Sequence, residues 1–528
     1  MPRLIKLIVY LLITLFCIPF IYLFTYGLLD FINSFANILS VAYFKLIFNT
    51  VILVIAVTIS SLILGLFLSW ATEICDIKFA KIWRILLIIP LVIPSYFAGY
   101  LFILFYGPKG KLFDVLNSLG ISNHIPDLYG FIGSWLCLTL ICYPYVYINI
   151  STGLKLVDRR LEDASRVLGQ NHFKTFYKII LPNIKSSIFA GSILVALYTL
   201  SDFGAVQAIQ YQTFTLAIYT KYRSFDLAGA ASYALILILL SIPIIYYAIN
   251  MSILNSYKIS QRPSEVVTKN LYKLHKFQLP VQLMLITITI FSVFIPFVMI
   301  FELISRTNIS LIEMIQNMKI DAIYNTFIGS FINSLLCVVL ALIVINTLTK
   351  NNYKLRIIFE NLMYFGYTLP GLVIALSFVY FSVNYFFSIY QTWIILIAGY
   401  VVLFFSSGYS PIRTSVELVG ERYSIASKSL GKSSFVTSYK ILLPLYRPGI
   451  IKGFLNVFIL TAKELPLTLV LAPLNFHTLS TIIWDGLEEA NFSSAGLAGL
   501  FLIILISIPT YLSIHTEDIK VKFSSHKK

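Results

Sequence analysis

A stretch of 21 residues occurs twice in this chain. Glu162 to Pro182 lies on Ser424 to Pro444 without a gap, at an offset of 262 residues. Eleven of the 21 positions are identical, including Ala164/Ala426, Ser165/Ser427, Leu168/Leu430, Gly169/Gly431, Thr175/Thr437, Leu181/Leu443 and Pro182/Pro444. Chance supplies far fewer. An internal repeat constrains the fold before any local pattern does, because both copies must occupy equivalent places. Both copies are polar and basic, and both are flanked by long apolar runs.

Those runs set the class. Hydrophobic residues make up 58% of the 528, and charged residues 12%, about half the charge of a soluble domain. A membrane span needs about 20 mostly apolar residues. Segments that meet or approach this are 7–29, 47–70, 84–106, 129–153, 184–201 and 230–254, then 281–304, 327–349, 358–382, 391–412, 449–462 and 494–514. The pattern predicts an all-α polytopic membrane protein with about 12 transmembrane helices in two six-helix repeats. The N-terminal run follows Arg3 and Lys6. It is longer than the apolar region of a signal peptide and is read as an uncleaved first span.

The net charge of +16 does not point to nucleic acid, because the positive residues follow the spans. With the N-terminus inside, 31 of the 39 Lys and Arg fall on the cytoplasmic side. This bias sets orientation and makes both termini and both repeated loops cytoplasmic. Six spans separate the two copies, so the repeats are parallel, related by an axis along the membrane normal. The expected domains are a first half at 1–254 (core about 46–254), a basic linker at 255–280, and a second half at 281–528 (core about 327–514). Fainter marks of the duplication are Asn49-Thr50 against Asn333-Ser334, and Ile93-Pro94-Ser95 against Leu369-Pro370-Gly371.

Within each repeated loop one apolar stripe is expected at helical spacing: Leu161, Ala164 and Leu168, and Tyr423, Ala426 and Leu430. Gly169 and Gly431 follow directly, where helices commonly end in a left-handed residue. Leu181-Pro182 and Leu443-Pro444 then mark the start of the next helix, since proline suits a first turn. Each loop therefore reads as helix, glycine turn, helix. The stripe has to be buried on something, either the protein's own spans, lipid headgroups or a partner.

The loops resemble the Glu-Ala-Ala loop of binding-protein-dependent ABC importers. The first copy offers Glu162-Asp163-Ala164, Gly169 and Ile179-Ile180-Leu181-Pro182; the second offers Ser424-Ile425-Ala426, Gly431 and Ile441-Leu442-Leu443-Pro444, without the glutamate. A narrower resemblance, to the fused iron(III) permeases of that superfamily, covers nearly the whole chain. It rests on Ile93 to Tyr96, Ser201 to Val206, Gln212 to Thr215, and Lys463 to Leu471 with Pro473 to Leu479. The resemblance implies a type I ABC importer permease fold in the bacterial inner membrane. It implies coupling helices at Glu162, Asp163, Ala164, Gly169, Leu181 and Pro182, and at Ser424, Ala426, Gly431, Leu443 and Pro444. It also implies two partners, an ABC ATPase dimer and a periplasmic iron-binding protein. No cofactor is expected on this chain; ATP and Mg belong to the ATPase. The chain itself is not an enzyme. Its expected function is import of iron(III) by alternating access. Alternatives are a permease of the same fold for thiamine or another small solute, and a proton- or sodium-coupled secondary transporter.

Other patterns carry less. Ala426 to Ser433 approaches a phosphate-binding loop, but lacks its first glycine and a preceding strand. The five cysteines have neither zinc nor disulfide spacing and read as buried thiols. Asp202 and Glu464 stand at the 262-residue offset, one at the outer end of each fifth span. Carboxylates near membrane depth are costly and usually face a water-filled path or a partner. Oxygen ligands also suit a hard cation. These two residues are candidates for the translocation path, or alternatively helix caps at the interface.

Overall fold

The computed structural model describes every residue except 1–2, 34–40, 109, 121–127, 156, 158, 260–270, 307–319, 352–358, 364–365, 367–368, 421 and 526–528. Residues 260–270 of the expected linker at 255–280 and part of the predicted span at 358–382 lie outside the described residues. Among the described residues the structure is helical, and the β-type contact is an isolated bridge between Cys75 and Tyr272.

Among the described residues eight helices are long and apolar enough to cross a membrane: Leu7–Ile32, Tyr43–Glu73, Phe131–Lys155, Leu227–Tyr247, His275–Ser305, Ile320–Thr347, Trp393–Val419 and Phe492–Ser513. Two bent pairs raise the number to ten. Ala80–Val92 with Ser95–Ser118 turns by 100°, and Phe176–Asn183 with Lys185–Ser201 by 61°. The remaining two of the twelve predicted spans have physical reasons for falling short. Gly371–Tyr385 has 15 residues. Leu443–Ala462 has 20, but Pro444, Arg447, Pro448 and Lys452 dilute its apolar character.

Contacts divide the chain into two compact units. One gathers Phe31–Phe225 and Tyr233–Glu302; the other gathers Met1–Asp30, Asp226–Ser232 and Leu303–Lys528. The opening span of each sequence half thus belongs to the unit built mainly from the other half.

In the unit containing Phe31–Phe225, the core is formed by Val41–Glu73, Phe131–Lys155 and Lys185–Ser201. Their axes approach closely through small residues, as is usual between membrane helices. Val146 lies between two glycines: a Cβ on Gly65 would stand 2.7 Å from Val146 Cβ, and one on Gly191 2.9 Å from Val146 Cα. The span that contains Ser292 joins this unit, and Tyr143 Oη lies 3.3 Å from Ser292 Oγ.

In the other unit, Ile320–Asn351, Trp393–Val419 and Leu443–Ala462 repeat the plan. Gly408 and Gly453, 262 residues beyond Val146 and Gly191, form the matching crossing; a Cβ on Gly453 would stand 2.6 Å from the Gly408 carbonyl oxygen. The N-terminal span packs here: the Phe16 ring meets Phe359 and Phe405 edge-on at 5.9 and 5.8 Å.

One equivalence read from the sequence is corrected. Asn49-Thr50 does not correspond to Asn333-Ser334. Asn49 Nδ2 donates to the Gln212 carbonyl at 3.0 Å, and Thr50 Oγ1 accepts from Phe214 N at 3.2 Å. In the other unit those bonds are made by Asn325, whose Nδ2 donates to the His477 carbonyl at 3.0 Å, and Thr326, whose Oγ1 accepts from Leu479 N at 2.8 Å. The offset is then 276, the same as between Pro94 and Pro370. In both units this polar pair ties the second-span helix to the start of a 10-residue helix, Phe214–Arg223 or Leu479–Glu488. Asn333 instead is buried and donates to Thr461 Oγ1 at 2.7 Å.

Candidate functional site: two polar loops

The two repeated loops fold alike. Arg159–Val167 is followed by Gly169 at φ +74°, then His172–Thr175; Arg422–Ser429 is followed by Gly431 at φ +72°, then Ser434–Val436. Both helices close with the same backbone turn. Gln170 N donates to the Ser165 carbonyl at 3.1 Å, and Lys432 N to the Ser427 carbonyl at 3.2 Å. This 6→1 bond is the mark of a Schellman end, which places a residue in the left-handed region. The next helix is capped in both copies: Asn171 Oδ1 accepts from Lys174 N at 2.8 Å, and Ser433 Oγ from Val436 N at 3.3 Å. Asn and Ser are both good N-caps, so this role survives although the residue differs. The run from Ala426 to Ser433, which approached a phosphate-binding loop, is this helix end and cap.

A hydroxyl pair staples each loop shut. Ser165 Oγ lies 2.9 Å from Thr175 Oγ1, and Ser427 Oγ 2.8 Å from Thr437 Oγ1, and all four residues are buried. Their identity in the repeat was the available signal, though neither pair was singled out from sequence. After the staple each chain makes a π-turn, Phe176–Ile180 or Thr437–Leu442, directly before Leu181-Pro182 or Leu443-Pro444. Proline withholds the N–H that an α-helix would use four residues back, and local π geometry accommodates the gap. In the second copy Leu443 opens Leu443–Ala462 as expected. In the first, Leu181–Asn183 is a short turn and the long helix starts at Lys185.

The residues of the expected stripe all lie on the outside of the two loops. Ala164 and Ala426 are exposed, and so are Asp163, Leu161 and Tyr423. The inward positions are Glu162 and Ser165 in one loop and Ser427 in the other, with Ser424 half-buried. Large apolar side chains point outward instead: Val167 and Leu168 in the first loop, Ile425, Leu430 and Phe435 in the second, the last three 60–78% exposed. Phe435 stacks on Tyr439 with rings 6.1 Å apart. Spacing gave a stripe and left open whether the protein's own spans, lipid headgroups or a partner would cover it. Here the polar residues satisfy one another inside, which leaves the apolar ones for an outside surface.

One contact has no counterpart in the second loop's residue type. Tyr272, from the C-terminal end of the linker, donates from its hydroxyl to Glu162 Oε2 at 2.9 Å. Tyr272 is itself pinned by backbone bonds: its N–H donates to Ile74 O, and its carbonyl accepts from Asp76 N, each at 2.9 Å. Next to this bridge Cys75 is buried, which pushes its thiol up to about 12 and keeps it inert at neutral pH. Ser424 stands where Glu162 would in the second loop.

Each unit also holds an ion cluster close to its loop, with reversed polarity. Glu73 is buried and takes Arg84 at 3.0 Å and Lys155 at 3.9 Å. Arg413 takes Glu360 and Glu417, both at 2.8 Å.

Asp202 and Glu464 lie at the far ends of Lys185–Ser201 and Leu443–Ala462 from the loops, about 25–30 Å along the helix at 1.5 Å per residue. Asp202 is buried and its Oδ2 accepts from Ala205 N at 3.0 Å. Glu464 Oε1 accepts from Leu467 N at 3.1 Å. Among the described residues no group of three His, Cys, Asp or Glu is placed to hold a metal ion.

Known proteins resemble this chain in sequence. The family described as the binding-protein-dependent transport system inner membrane component matches residues 76–251 and again 338–516, so each match contains one loop. An Fe(3+)-transport system permease protein of Haemophilus influenzae is 31% identical over 474 residues, which cover 89% of each chain. A ferric transport system permease protein of Actinobacillus pleuropneumoniae is 22% identical over 516 residues, 92% of this chain and 73% of that one. A molybdate/tungstate transport system permease protein of Methanocaldococcus jannaschii is 30% identical over 199 residues, 37% of this chain and 76% of its own. The twofold match, the extent of the first relative and the paired loops lead to one assignment: the chain belongs to the family of inner membrane permease components of binding-protein-dependent transport systems, with two permease segments fused in one polypeptide.

Proposed function

We propose that this chain is the membrane subunit of an ATP-driven importer that carries iron(III) from a periplasmic binding protein into the cytoplasm. The observation that carries the ATP-driven part is the construction of the two loops. Each is closed internally by a buried hydroxyl staple and presents exposed apolar side chains on a polar, basic segment. Apolar surface in such a place marks a docking site. Two copies suit a dimer of ATPase subunits. Nucleotide and magnesium then reside on that partner, and this chain contributes the path and the coupling. In this reading both loops and both termini are cytoplasmic, as the distribution of Lys and Arg requires.

Iron(III) as cargo is supported by the relatives that run nearly the full length of the chain, whose names specify Fe(3+) or ferric transport. The molybdate/tungstate relative covers a single permease segment's length. The test is uptake of radiolabelled iron(III) into vesicles carrying the permease and its ATPase, with the binding protein supplied. Iron(III) uptake that requires both ATP and the binding protein supports the reading. Uptake of thiamine or molybdate in place of iron would reassign the cargo and leave the importer assignment intact.

A further inference from the structure

The two far-end carboxylates are held in matching but unequal settings. The third span of the first sequence half breaks at Pro94, and a new helix, Ser95–Tyr106, starts there. In the other unit Pro370 precedes Gly371–Tyr385. A helix start has backbone N–H groups without partners and a partial positive charge. At membrane depth such groups have to be satisfied within the protein.

In the first unit two starts converge on Asp202. Its carboxylate accepts from Ala205 N at 3.0 Å, in the first turn of Gly204–Ala208, and the helix that restarts at Ser95 packs against that same short helix. The two helices touch through backbone, since a Cβ on Gly204 would stand 2.4 Å from Tyr96 Cβ. In the second unit Glu464 Oε1 accepts from Leu467 N in the first turn of Pro466–Leu471. The same oxygen occupies the place beside Gly371, where an added Cβ would lie 2.5 Å from it. Gly371 is 276 residues beyond Ser95, and Glu464 is 262 beyond Asp202. The longer carboxylate therefore stands opposite the missing side chain, and the shorter one opposite serine. Each unit also anchors the residue's backbone: Thr215 Oγ1 donates to the Asp202 carbonyl at 2.7 Å, and Thr468 Oγ1 to the Glu464 carbonyl at 2.9 Å.

We propose that Ser95 with Asp202 and Gly371 with Glu464 form one latch made in two ways, and that it positions the short helix beyond each fifth span against the restart of the third span during transport. The four are positioning residues. One oxygen of each carboxylate is engaged by a backbone donor of the short helix, which favours this role over that of cation ligands on the path. Transport requires the segments around the path to move together, and the latch is the side-chain link between these two.

The test uses the whole permease with its ATPase and binding protein in vesicles, and reads folded permease, iron(III) uptake and ATP hydrolysis. It rests on the importer reading, and the wild-type protein controls for that reading separately: absent ATP-driven uptake by the wild type counts against the reading and not against the latch. Gly371→Ser pushes into the Glu464 carboxylate, and Glu464→Asp withdraws it from Leu467. Each alone lowers uptake per ATP hydrolysed by roughly tenfold, the equivalent of one charge-assisted hydrogen bond. Together they rebuild the serine–aspartate form and restore uptake. Ser95→Gly with Asp202→Glu does the same in the other direction. Glu464→Gln keeps an acceptor and transports far better than Glu464→Ala. Three results would overturn the latch: a double variant no better than its worse parent, unchanged uptake per ATP in all single variants, or equal loss in Glu464→Gln and Glu464→Ala. The last would transfer the role to the charge itself, as a path residue needs.

Discussion

Tyr272 donates a 2.9 Å hydrogen bond to the buried carboxylate of Glu162, and so ties the end of the linker to the first loop. Its own backbone is held at Ile74 and Asp76, so the contact connects three separate stretches of chain. A hydrogen bond to a charged group contributes about 1.5–3 kcal/mol. Tyr272→Phe should loosen Arg159–Val167 and leave Arg422–Ser429 unchanged, because the second loop carries Ser424 in place of the glutamate. Amide hydrogen exchange reads this directly. Equal protection in mutant and wild type, or equal loosening of both loops, contradicts the tether.

Gly169 and Gly431 both have positive φ, and a Cβ at either would touch nothing within 4 Å. Substitution therefore acts through backbone strain alone, of order 1–3 kcal/mol for a residue forced into this region. Gly169→Val and Gly431→Val should each insert and fold, yet lower iron uptake and substrate-stimulated ATP hydrolysis several-fold. Normal coupling in both variants contradicts a docking role for the loops.

Leu168 and Leu430 are each 78% exposed at the helix ends. Full burial of a leucine contributes about 1.5–3 kcal/mol, so removing one from a docked surface should weaken binding about tenfold or more. Leu168→Ser and Leu430→Ser should raise the concentration of purified ATPase needed for half-saturation, with thermal stability of the isolated permease unchanged. Ser427→Ala should do the reverse: it breaks the internal staple with Thr437 and lowers stability first.

Glu73 sits between Arg84 and Lys155. Its replacement by alanine leaves two like charges facing one another beside the membrane. Breaking a buried pair costs about 3–5 kcal/mol; Arg84 is one-third exposed and recovers part of that through water. A loss of about 2 kcal/mol is expected, visible as a lower Tm and reduced yield. Exchanging Arg413 for methionine should be similarly costly in the other unit, where Glu360 and Glu417 would repel.

Much of this fold was legible because membrane spans and duplication leave strong marks. The 262-residue offset located both loops, the left-handed glycines and the matched carboxylates. The parts missed share a cause. The broken span at Pro94 looks continuous in hydropathy, since its bend is set by proline and by neighbouring helices. The pairing of Asn49 with Asn325 was obscured by an Asn-Thr-like pair eight residues on, and the constant offset of 276 with Pro94/Pro370 was the signal that would have found it. The loop stripe was legible as a face, but periodicity does not say which way a face points; the buried Ser165–Thr175 and Ser427–Thr437 pairs put it on the outside. Tyr272 left no mark at all, because its role depends on a chain return that no local pattern encodes.

The most direct measurement is iron(III) uptake into vesicles under two energy sources. With the ATPase, the binding protein and ATP present, uptake should proceed and should be indifferent to collapse of proton and sodium gradients. With the permease alone under an imposed proton or sodium gradient, uptake should be absent. Robust gradient-driven uptake by the permease alone would contradict ATP-driven import and make the chain a secondary transporter.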